Sequence, residues 1–169
     1  MTSSTSFPRA AGDNNPLLSA TPINMAALLE SAHHPAAGAV VLFSGETRDN
    51  SHGRQVAYLE YEAHESMAGR MIAAILEEAK AKWDLKIALA CHRTGRVAVG
   101  ETAVVVITAA AHRREAYAAN RYIIDRVKHE TPIWKREYFT DGSSEWGGNC
   151  DCQKITGDAN RHIYETDTN

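Results

Sequence analysis

The order of apolar and polar positions divides the chain into helical and extended stretches. Met25, Leu28 and Leu29 recur at helical spacing within residues 24–31, which predicts a short helix. Residues 38–44 (GAVVLFS) form a compact apolar run with β-branched side chains, the pattern of a buried strand. Residues 46–53 (ETRDNSHG) are polar and rich in turn formers, so a loop follows. Residues 55–62 alternate, with Val56, Tyr58 and Glu60 on one side and Ala57, Leu59 and Tyr61 on the other, which predicts a strand. Met67, Met71, Ile75 and Leu76 then repeat at helical spacing through residues 66–83, among several alanines. Residues 85–93 (LKIALACHR) alternate again, Thr94-Gly95 is a bend, and residues 103–110 (AVVVITAA) are the clearest strand in the chain. A second long helix is expected over residues 113–130. It is stopped by Pro132, which drives Thr131 away from helical geometry. Residues 133–139 (IWKREYF) read as a strand before the turn at Asp141-Gly142. Some strands follow one another with no helix between them. The expected class is therefore α+β, with a largely antiparallel sheet and two long helices.

Length and composition narrow the field. The 169 residues suit one domain able to bury a core without metals or disulfides. Domain organisation is read as a flexible N-terminal segment at 1–21, a folded domain at 22–146 and a polar C-terminal tail at 147–169. The net charge of −3 argues against a nucleic-acid binder but leaves room for a local anion pocket. Three cysteines, Cys91, Cys150 and Cys152, do not make a secreted disulfide framework, so a reducing, cytoplasmic setting is expected. The longest apolar run is too short to cross a bilayer, and no membrane association is expected.

Candidate chemistry concentrates between His112 and Glu137. His112 and Arg113 stand where strand gives way to helix, a corner whose backbone N–H groups favour an anion such as phosphate. Ile124 and Lys128 are four apart and share a helix face. Beyond the Thr131-Pro132 break, Lys135 can return close to Lys128. Two facing ammonium groups lower each other's pKa, which makes a neutral amine available as base or nucleophile. Most lysines are solvated surface charges, and that reading stays open for both. Arg48 directly follows a buried strand and suits a carboxylate or phosphate partner. Phe43, on that strand, either lines the same pocket or belongs to the core. Cys150-x-Cys152 with His162 falls short of the two ligand pairs usual for zinc, so no metal site is assigned. Cys91 alternates within an apolar strand and reads as buried and inert.

Taken in order, GAVVLFSGETRDNSHG, YLEYEAHESMA, HRTGRVAVGE, AAAHRREAYAANRYIIDRVK and TPIWKREYF with a following GSSEW resemble the large catalytic subunits of molybdopterin synthase, the MoaE family. The combination FSGxxRxxxxG, HRxGxxxxGE, AHR, DxxK and PxWKxE spans about residues 38–146. The resemblance implies an α/β hammerhead fold and a homodimer of large subunits within a heterotetramer. A small ubiquitin-like sulfur-carrier subunit binds at each end, and its C-terminal Gly-Gly thiocarboxylate enters the large subunit's pocket. The implied reaction is sulfur transfer to cyclic pyranopterin monophosphate, which forms the molybdopterin dithiolene with no further cofactor. By the resemblance, Lys128 and Lys135 are the essential lysines, and Arg48, His112 and Arg113 hold the substrate and its phosphate. The His-Arg pair comes from the neighbouring subunit, and Phe43 and Ile124 match pocket-wall positions. Two other readings remain beside it. One is an imine-forming lysine enzyme acting on another phosphorylated substrate; the other is a non-catalytic adaptor that captures a Gly-Gly protein tail.

Overall fold

The structure, a computed structural model, describes residues 17–147. The chain order is β1 (Leu18–Ser19), α1 (Met25–Glu30), β2 (Ala39–Glu46), β3 (Asn50–Ser51), β4 (Arg54–Ala63), α2 (Glu65–Trp83), β5 (Ile87–Arg93), β6 (Gly95–Ala98), β7 (Thr102–Ala110), α3 (Arg113–Glu130), β8 (Ile133–Phe139) and β9 (Ser144–Gly147). The class is α+β. One sheet has the order β1-β5-β7-β2; the other runs β3-β4-β8-β9, with β6 also paired to β4. Every pairing is antiparallel except β1 on β5.

The first sheet is covered on both faces, which explains why β7 reads as a continuous apolar run. Val104 and Val106 face α2 and α3 together with Ile72, Ile75 and Ile123. Val105 and Ile107 face the other way, against Met25 and Leu28 of α1 and the buried Ala32. Leu29, expected on the packed face of α1, is exposed instead. Leu18 and Ser19 pair with His92 and Arg93, so ordered structure begins inside the segment that the composition marks as a lead-in.

The alternation in β4 needs correcting. The sequence groups Val56 with Tyr58, but Val56 packs with Leu59 and Phe139, and Tyr61 leans on the same cluster. The cause is a register shift against β8 between Val56 and Tyr58, which turns the strand's faces over at that point. Among the short strands, β1, β3, β6 and β9 carry too few residues to show a period. The cysteine-rich segment holding Cys150, Cys152 and His162 lies outside the described residues. No described helix is long and apolar enough to cross a membrane.

Candidate active site

The site forms where α3 stops. Thr131 is extended at the residue before Pro132, and its hydroxyl donates to the Val127 carbonyl, 2.5 Å away. The chain leaves the helix end directly into β8, which runs antiparallel to β4. Lys128, in the last turn of α3, and Lys135, on β8, line one cavity with Gly45 and Glu46 of β2, Tyr61 of β4 and His92 of β5. Val104, Val127 and Ile133 supply its apolar wall.

The two lysines have different surroundings. Lys135 donates to Glu137 at 2.9 Å, and Glu137 is buried, two residues along the same strand face. Gly147 lies opposite Lys135 on β9, where an added Cβ would come within 2.5 Å of the lysine's Cε. The bare backbone therefore gives the Lys135 stem its path. Lys128 forms no ion pair among the described residues, and it sits at the exposed rim of the cavity. Enough protein still surrounds its amine that desolvation holds the pKa below the usual lysine value; Lys135 adds to this, Asp125 opposes it, and Arg48 lowers it further. The expected effect of one lysine on the other is present at Lys128, although burial is the larger cause.

Glu137 is held below the usual carboxylate range. Burial works against this, but hydrogen bonds from Lys135 and Ser51 outweigh it. Ser51 stands in the turn region that follows Arg48, so Glu137 ties that loop to β8. Burial, with Glu137 nearby, pushes the Tyr61 hydroxyl up to about 12, so it stays protonated. His92 is pushed down to about 4, chiefly by burial, against a raising hydrogen bond to the Arg93 backbone and with Lys128 adding a further lowering. Its ring meets Tyr61 edge-on, with centroids 4.9 Å apart.

The sequence-derived candidates divide into three groups. Lys128 and Lys135 line one cavity; Arg48 is exposed on the loop after β2 and is not among the lining residues, although its charge acts on Lys128. His112 and Arg113 are exposed at the opposite end of α3. At about 1.5 Å per residue, Arg113 lies roughly 22 Å from Lys128 along the helix axis, so one chain does not unite them. Phe43 and Ile124 belong to the core rather than to the cavity wall. Ile124 is buried, and Phe43 packs on the same cluster while pairing in register with Val106. Residue-by-residue reading of the sequence missed Tyr61, His92 and Glu137. A signal existed for His92, since it continues the inward positions of Ala88 and Ala90, where a polar ring is out of place. Cys91 is buried and free, its thiol pushed up to about 11 by burial. No cluster of metal-ligating side chains occurs among the described residues.

The chain has clear relatives. The model of the family described as MoaE protein matches residues 18–130. A molybdopterin synthase catalytic subunit from Thermoplasma volcanium is 43% identical over 124 residues, which cover 73% of this chain and 90% of that protein. The crystal structure of molybdopterin synthase from Staphylococcus aureus superposes with a TM-score of 0.76 at 36% identity, over 81% of this chain and 99% of that one. A complex of subunits 1 and 2 of molybdopterin-converting factor from Helicobacter pylori shares the fold, with a TM-score of 0.66 at 19% identity over 79% of this chain and 90% of that one. With the family match covering well over half of its length, this chain belongs to the MoaE protein family.

Proposed function

We propose that this chain is the catalytic subunit of a molybdopterin synthase. In this reading it transfers sulfur from the C-terminal thiocarboxylate of a small ubiquitin-like subunit to cyclic pyranopterin monophosphate. The observation that carries the reading is the cavity lined by Lys128 and Lys135, with the charge of Arg48 acting on Lys128, in a chain whose relatives bear that name. The substrate is an anion, and so is the thiocarboxylate. A cationic cleft draws both in and stabilises negative charge as the cyclic phosphate opens.

The two lysines have separate tasks. Lys128 carries a lowered pKa and forms no ion pair among the described residues, so it suits proton transfer or a transient covalent bond to the substrate. Lys135, fixed by Glu137, is a charge held in place; it suits the thiocarboxylate or the opening phosphate. His112 and Arg113 then serve the cavity of a neighbouring copy in a homodimer, since they lie a helix length from their own. The setting is cytoplasmic, as the cysteine usage suggests.

The test is single-turnover dithiolene formation with a thiocarboxylated partner and the cyclic pterin. Lys128→Ala should lose at least about a hundredfold in rate, and Lys135→Ala should be strongly impaired, with both variants folded. Near-normal product from Lys128→Ala would sink the assignment. Borohydride trapping of an imine to some other carbonyl substrate would favour the imine-forming alternative.

A further inference from the structure

We propose that His92 is a positioning residue for Lys128. It offers an uncharged hydrogen-bond acceptor, Nε2, to the lysine amine from the floor of the cavity. The inference rests on the functional reading above for its kinetic arm, but its structural arm stands without it.

The argument begins with the tautomer. His92 Nδ1 lies 2.7 Å from the Arg93 carbonyl oxygen. A carbonyl only accepts, so the hydrogen is on Nδ1 and the neutral ring presents a lone pair at Nε2. The residue is 6% exposed, and it lines the cavity that Lys128 also lines. Tyr61 packs edge-on against the ring and fixes its plane. Among the described residues no donor, Lys128 included, stands within hydrogen-bond distance of Nε2 in this structure, so the acceptor is free to receive the amine when the Lys128 side chain turns inward. The acceptor therefore faces the cavity.

Charge then selects its partner. The titratable groups that line the cavity with His92 are Lys128 on α3, Lys135 on β8, Tyr61 on β4 and Glu46 on β2; Arg93 is its neighbour in the chain, while Asp125 and Arg48 act on Lys128, and Glu137 on Tyr61 and Lys135. Lys128 is the cation whose charge acts on the ring. A carboxylate in place of His92 would bind the Lys128 amine as an ion pair and hold it protonated. A charged imidazolium would repel it and add to the positive cluster. A buried ring held neutral avoids both. It gives the amine a direction inward and favours the protonated form far less than a carboxylate would, so the amine can still gain or lose a proton.

Two measurements test this. The first is NMR of the histidine ring nitrogens in the full chain, with and without Lys128→Ala. The expected result is a ring protonated at Nδ1 and bare at Nε2 across pH 5.5–8, in line with its depressed pKa. Its Nε2 signal should move when Lys128 is removed. A hydrogen on Nε2, or a signal indifferent to Lys128→Ala, overturns the proposal. The second is the pH profile of single-turnover dithiolene formation. His92→Phe keeps the ring packing but removes the acceptor, so it should lose about tenfold in rate and move the lysine limb to lower pH. His92→Gln, whose Oε1 can take the place of Nε2, should stay within about threefold of the unmodified chain with its limb near the original. An unmoved limb in His92→Phe, or an equal loss in both variants with unmoved limbs, overturns it as well. If the Phe variant does not fold, the NMR result decides. If the unmodified chain makes no dithiolene, the functional reading fails while the ring measurement still tests the contact.

Discussion

Two lysines seven positions apart differ in what surrounds each amine. Lys135 has Glu137 at 2.9 Å and the bare backbone of Gly147 across the strand pair. Lys128 has burial and two other cations. Glu137 is the residue whose removal separates these roles. Its folded pKa lies below the ordinary 4.5, so its stabilising effect is complete above that value and is lost as pH falls through the folded pKa. Glu137→Gln should therefore unfold more easily at pH 7, by about 1–3 kcal/mol. The gap to the unmodified chain should close on acidification below 4.5. Denaturant unfolding at pH 7 and near pH 3 measures both, and a gap that persists at the lower pH would contradict the ion-pair account.

Positioning of the site at the level of elements depends on how α3 is seated. Asn120 is buried, and its Nδ2 donates to the Val41 carbonyl on β2 and the Val106 carbonyl on β7, at 3.0 and 3.1 Å. Thr108 donates from the sheet to the Ala116 carbonyl at 2.8 Å. These bonds fix the rotation of the helix on the sheet, and that rotation aims Val127 and Lys128 at the cavity. Asn120→Ala leaves two sheet carbonyls one donor short and opens a small void. The expected loss is about 1–3 kcal/mol, seen as a lower denaturant midpoint at unchanged slope. An unaltered midpoint would mean that apolar packing alone seats the helix.

For the whole molecule, the proposed role of His112 and Arg113, at the other end of α3, requires a second copy of the chain. The helix is rigid and places that end roughly 22 Å from Lys128 of the same chain. If a second copy brings it to the cavity, the two halves of a site can be damaged separately. Mixed dimers of Lys128→Ala and Arg113→Ala, made by coexpression, should regain dithiolene formation that neither parent shows, because one of the two cavities is then intact. Failure of the mixture to recover any activity, with mixed dimers present, would confine the site to one chain.

The order of elements was determined by the sequence, because each long element carries its own period. The helix at residues 113–130 and the strand at 133–139 are found at those bounds, since Pro132 acts locally on its neighbour. Arg48, Lys128 and Lys135 stand out in the sequence as candidates because charge falls beside apolar runs and breaks. The tertiary structure alone decided what surrounds them. The face change in β4 comes from a register shift against β8, and a register is a property of two strands. Glu137 and His92 became recognisable only once burial and pairing had brought β8, β5 and α3 to one cavity. The shifted pKa values of Lys128 and His92 and the burial of the Lys135–Glu137 pair depend on neighbours distant in the chain, and no local pattern encodes that distance.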